Sequence, residues 1–173
     1  MKTKTCFAAL LTIISLVGLP SAASAGPAPR QQFLLNSAEG TTTTSVTATG
    51  VYNGVGEDIT LDAAFKARRH GRFTVTSHER FVFPAGALSV TLHVKGRETG
   101  DAAKCTSIST GYGTYDVTGG TQNFLAAKGQ GRFTFDSATV NQRDENGECL
   151  DDDNVGVFFA KLHGTLRLHP FAR

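Results

Sequence analysis

The stretch RFTVTSHERFVFPAGALSVTLHVKGR, residues 72–97, decides the class of fold. On both sides of Pro84-Ala85-Gly86-Ala87, apolar and polar side chains alternate at a spacing of two, the pattern of two half-buried strands joined by a turn. Centring the turn on those four residues pairs Phe83 with Leu88, Phe81 with Val90, Glu79 with Leu92 and Ser77 with Val94. The other face then carries Thr74, Thr76, His78, Arg80, Thr91, His93, Lys95 and Arg97. One face is apolar and the other wet, as expected of antiparallel strands with one side on a core.

The same rhythm extends outward. Residues 41–52 are rich in Thr and Val and precede Asn53-Gly54, a pair suited to a type I′ hairpin. Pairing Tyr52 with Val55 sets Ala48 opposite Ile59 and Val46 opposite Leu61, which collects apolar groups on one face. Residues 106–118, 131–143 and 155–169 also read as strands, and the last aligns Phe158, Ala160, Leu162, Leu166 and Leu168, leaving His163, Arg167 and His169 to solvent. The nearest helix candidate, residues 62–69, fits a strand equally well. The chain reads as all-β, with seven or eight strands that stack as two sheets or close on themselves; closure alone removes exposed edges.

Residues 1–25 read as an export signal: Lys2 and Lys4, an apolar run from Cys6 to Leu19, and cleavage after Ala25 in Ala23-Ser24-Ala25. Residues 26–32, with two prolines, read as a flexible leader, and 33–173 as a single barrel domain. The destination is the periplasm or the exterior. Of 17 basic and 15 acidic groups the signal removes two lysines, so the net charge falls from +2 to zero, which argues against nucleic acid as a partner. No second apolar run approaches the ~18 residues of a membrane span. Cys6 leaves with the signal, and Cys105 and Cys149 remain as an even pair in an oxidising compartment, where one structural disulfide is expected.

The most specific stretch is GTYDVTGGTQNFLAAKGQGRFT, residues 113–134. A strand ends at Gly119-Gly120, Phe124 can tuck under the turn, and Gly129 and Gly131 allow close backbone contact as the next strand starts. This stretch resembles the allene oxide cyclase and dirigent-like barrel group, whose members often show a strand, GGTG, an aromatic two residues later, GAxGxG and another strand. Gly119, Gly120, Thr121, Phe124, Ala127, Gly129 and Gly131 fit that pattern, whereas Gln122 stands where the group usually has Gly and Ala126 where a second Gly is common. The resemblance implies a closed, eight-stranded antiparallel barrel with an apolar interior that holds a small hydrophobic molecule. It also implies cyclase or isomerase-like chemistry without a cofactor.

Among candidate residues Glu79 stands out, because the register puts a carboxylate on the apolar face. Burial there would raise its pKa and make it a general acid or base, with Ser77, Phe81 and Phe83 as ligand-binding neighbours; the plainer reading is a rim carboxylate that reaches water or an arginine. His78 and His93 fall opposite each other, yet Arg80, Lys95 and the lack of a third ligand argue for a surface pair and no metal. The acids around Cys149 fail the spacing of an EF-hand and read as a solvated loop. No G-x-S-x-G or phosphate-cradling motif is present. Two functions follow: a ligand-binding barrel, or a non-catalytic exported structural or interaction protein whose core is filled by Phe73, Phe81, Phe83, Phe133, Phe135 and Phe158. An interior pocket of ~300 Å³ or more would separate them.

Overall fold

The computed structural model describes residues 29–37 and 43–168, with the backbone alone at 151–154. The export signal, its cleavage site and His169 lie outside the described residues. Eight strands follow one another: β1 (Arg30–Ser37), β2 (Thr44–Gly50), β3 (Gly54–Ala67), β4 (Arg72–Phe83), β5 (Gly86–Asp101), β6 (Thr106–Gly120), β7 (Lys128–Arg143) and β8 (Cys149–Arg167). Each pairs antiparallel with its neighbour, and β8 pairs with β1 to close a barrel. The segment 62–69, weighed above as a helix, is strand as far as Ala67. Residues 30–32, read as leader, belong to β1, and Gln31 is buried.

The register of the β4–β5 hairpin differs from expectation by two residues: Phe83 pairs with Gly86, Phe81 with Leu88, Glu79 with Val90 and Ser77 with Leu92. Only Pro84 and Ala85 form the turn, and because the slip is even, every side chain keeps its expected face. The histidines part: His78 lies opposite Thr91 and His93 opposite Thr76.

The β2–β3 hairpin differs by an odd number. Ala48 pairs with Gly54 and Val46 with Gly56, so Val55, Ile59 and Leu61, expected in the core, are 65%, 43% and 51% exposed. Asn53 and Gly54 do not take the positive φ of a type I′ turn; Gly50 does, at 129°, and its N–H donates to Asn53 Oδ1 at 3.0 Å. The physical cause is the size of two rings. A Cβ on Gly54 would meet Tyr52 Oη at 2.6 Å, and one on Gly56 would meet Phe83 Cδ1 at 2.7 Å. The inner face of β3 begins with two glycines, against which these rings lie, and at Gly56 a Cβ would also collide with the Val82 carbonyl.

The same device recurs around the wall. Gly96, Gly111, Gly113 and Gly131 face Phe73, Phe135, Phe133 and Tyr115 across their strand pairs, and in each case a Cβ would overlap the ring. Inside, Phe33, Leu35, Val46, Phe81, Leu88 and Leu162 are fully or almost fully buried, each contributing about 1.5–3 kcal/mol by leaving water, and Tyr115 is buried with them. Cys105 and Cys149 form the expected disulfide, with a Cα–Cα distance of 5.4 Å. It ties the β5–β6 turn to the start of β8, beside the β7–β8 turn.

Candidate functional site

The two ends of the barrel differ. At the end that holds the β2–β3, β4–β5 and β6–β7 turns, the lumen is shut. Gln31 accepts the Tyr52 N–H through Oε1 (3.0 Å) and donates to the Tyr52 carbonyl through Nε2 (3.1 Å). The glycine motif supplies the rest of the closure as a single 3-10 turn, Gln122–Phe124. Thr121 clamps it to the β4–β5 hairpin, its N–H donating to the Ala87 carbonyl (2.8 Å) and its Oγ1 accepting the Ala87 N–H (3.0 Å). Phe124 then tucks into the barrel end against Tyr52, with centroids 5.0 Å apart, and Phe83 at 6.0 Å. Gly120 leaves room for the Ala87 carbonyl and Phe124, while Gly129 and Gly131 lie close to the β8 backbone. Gln122 takes a left-handed φ of 49°, at a position where the resembled pattern has Gly. Gly119 precedes it at the strand end.

Toward the other end, inward-facing side chains emerge from the core. Val75, Leu92, Val94, Phe73 and Phe158 are half-buried, and Phe65 is exposed although it stacks on Phe73 at 5.5 Å. Phe135 continues this belt to Phe73 and Phe158. The inward face is therefore partly exposed to solvent on this side.

Between the plug and this partly exposed belt lie the carboxyls. Glu79 is 5% exposed and faces inward, as the sequence indicates. Asp58, which the sequence reading missed, faces the lumen beside it: Asp58 lies opposite Phe81 and Glu79 opposite Thr60, so the two are diagonal cross-strand neighbours, about 7–8 Å apart at Cα. Asp58 Oδ1 and Glu79 Oε2 are buried without a hydrogen-bond partner among the described residues. Burial first, and then the negative charge of Glu79, push Asp58 up to about 8. A third inward group, the Tyr115 hydroxyl, also lacks a partner, and burial pushes it up to about 12. Its ring crosses Gly131 to reach Gly164 of β8, and Phe33 packs edge-on against both Tyr115 (6.2 Å) and Phe81 (5.4 Å).

Ser77, Phe81 and Phe83 are all buried on the inner face, but their positions differ. Phe83 belongs to the plugged end and Phe81 to the packed centre, whereas Ser77 lies one step from Glu79 toward the partly exposed belt. Three grooves, of about 770, 940 and 600 Å³, lie outside this interior, and none is lined by Ser77, Glu79, Phe81 or Phe83. The His78–His93 pairing is replaced by a hydrogen bond between His78 Nδ1 and Asp62 Oδ1 at 2.9 Å, and by a 3.5 Å contact of His93 with Thr76. In the acidic β7–β8 turn, Asp144 is held below the usual carboxylate range by the N–H groups of Glu148 and Asn146, so the turn itself employs this carboxylate.

A carboxyl that keeps its proton at neutral pH, next to a second carboxyl and an aromatic basin, can donate a hydrogen bond or a proton to a ligand oxygen. A signal for Asp58 exists in the sequence: Gly54, Gly56 and Asp58 share one face, and glycines at period two mark the face on which rings lie. The chain matches no family model, no curated protein and no solved structure.

Proposed function

We propose that this is an exported barrel of the allene oxide cyclase and dirigent-like group that binds a small hydrophobic molecule in its partly exposed half and acts on it by proton transfer without a cofactor. The observation that carries the reading is the Asp58–Glu79 pair, two inward-facing carboxyls each with a buried oxygen that has no partner among the described residues. Buried polar atoms in native folds are nearly always satisfied, and those that are not mark a ligand, a water or a reacting group. In the proposed chemistry Asp58 gives its proton to an oxygen of the ligand while Glu79 accepts one from carbon, so the pair ends with as many protons as it began. Such a cyclisation or isomerisation needs no reductant. The closed eight-stranded barrel, the plug built by the glycine motif and the disulfide all support the family and an oxidising destination.

A second reading, a structural or interaction protein, is favoured by the filling of the central lumen with Phe33, Phe81 and Tyr115. Native mass spectrometry of the mature protein from its host, with uptake of the neutral dye N-phenyl-1-naphthylamine, separates the two. The first reading expects a retained small-molecule adduct, and dye binding weakened by Phe73→Ala. Absence of both adduct and dye uptake would establish the second.

A further inference from the structure

We infer that the outer wall of β4–β7 carries a separate binding site for an acidic saccharide chain, one bearing carboxylate or sulfate groups. The site is a groove of about 940 Å³ that runs across the strands. Its floor is the backbone of one inward-facing row, Phe73, Gly96, Gly111 and Phe135, which are register partners from β4 to β7. Two outward-facing rows form its sides. One begins with Arg72 opposite Arg97 and ends at Asp136; the other carries Lys95 and Tyr112. Crossing four strands gives the groove a length of about 14 Å, the reach of a short chain.

The charges in it are arranged against the interest of the fold alone. Like charges directly opposite on neighbouring strands repel, yet Arg72 and Arg97 face each other. Arg68 is brought to the same place by the β3–β4 turn, where its N–H donates to the Arg72 carbonyl (2.7 Å) and the Glu98 N–H donates to the Gly71 carbonyl (2.8 Å). Gly71, at φ 67°, sits so close to the Glu98 carbonyl that a Cβ would collide with it. The turn is thus fastened to β5, and Arg68, Arg72, Lys95 and Arg97 converge with one acid, Asp136, among them. Among the described residues none of these four cations has an ion-pair or side-chain hydrogen-bond partner. With the whole chain at a net charge of only +2, this concentration is local, not a general basicity.

The chemistry of the lining selects the ligand. Guanidinium forks take carboxylate or sulfate oxygens in pairs, and two facing forks suit an anion held between them. Tyr112 is largely exposed at the groove side and offers a ring face to a sugar ring, and Thr74, Thr110 and Thr134 add hydroxyls along the same rows. A nucleic acid would call for several stacking rings and a wider basic field; here there is one ring and one groove.

Calorimetry on the mature chain tests this with four probes: an oligogalacturonate, a heparin hexasaccharide, neutral maltohexaose and a single-stranded DNA 10-mer. At least one of the two acidic saccharides should bind saturably, and maltohexaose should not. Arg72→Gln combined with Arg97→Gln, both exposed, should weaken that binding about tenfold or more. Tyr112→Ala should weaken it several-fold, and Arg80→Gln, on the same strand outside the groove, should leave it unchanged. Failure of both acidic saccharides to bind, equal affinity in the double variant with its thermal unfolding intact, or displacement by inorganic sulfate at equal charge concentration would overturn the site. DNA binding as tight as that of the saccharide and indifferent to Tyr112→Ala would overturn the saccharide assignment.

Discussion

Replacing Asp58 by Asn should change how stability depends on pH, in a sense opposite to ordinary surface carboxylates. Below pH 3.8 folded and unfolded chains both hold the Asp58 proton, and the residue adds no pH dependence. Between 3.8 and about 8 the unfolded chain releases the proton while the folded chain keeps it. The unfolded state then binds fewer protons, so stability falls as pH rises, and the loss levels off above about 8. At roughly 1.4 kcal/mol per pH unit, this interval amounts to ~6 kcal/mol, a large share of the ~5–15 kcal/mol that holds a domain together. The Asp58→Asn variant has no such titration. Urea unfolding of both proteins at pH 4, 6 and 8.5 should show the variant gaining on the parent by several kcal/mol across that range. Glu79→Gln removes the neighbouring charge that helps hold Asp58 up, so it should end the parent's decline at a lower pH. A difference between the Asp58→Asn variant and its parent that stays constant within ~1 kcal/mol from about pH 4 to 8.5 would refute the burial and coupling assigned to this carboxyl.

Two further predictions concern the wall and the plug. A Cβ at Gly131 would press on the His163 carbonyl and the Tyr115 ring, while one at Gly100 has its nearest neighbour at 3.6 Å. Gly131→Ala should therefore destabilise by about 1–3 kcal/mol or more and Gly100→Ala by less than ~1 kcal/mol, read from paired denaturation curves. Gln122 holds a left-handed φ that glycine adopts without strain, so Gln122→Gly should stabilise the protein by about 0.5–1 kcal/mol despite the added freedom of the unfolded chain; a lower melting temperature would contradict the turn geometry.

By itself, the sequence determined which side chains of residues 72–97 share a face. Period two in residues 72–97 sends Glu79, Phe81 and Phe83 inward whether the hairpin turn has two residues or four, because an even slip preserves faces. The even pair of Cys105 and Cys149 sufficed for the disulfide. The glycine motif announced a turn with Phe124 tucked beneath it, and the chain built one. Parity defeated the β2–β3 hairpin: an odd slip turned Val55, Ile59 and Leu61 outward and Asp58 inward. That choice belongs to the tertiary structure. Counting apolar residues picks the wrong face of β3, because the right one is kept bare at Gly54 and Gly56 for the rings of Tyr52, from the adjoining turn, and Phe83, from the next strand. Where a core is filled from across the barrel, the strand that receives the ring looks empty in its own sequence. The registers of β3–β4, β6–β7–β8 and β4–β5 likewise decided that Asp58 and Glu79 face one another's neighbourhood, that Tyr115 lies across two glycines of other strands, and that four cations from a turn and two strands converge on one groove. Each of these is a relation between segments distant along the chain, set by register and packing, and no local pattern encodes it.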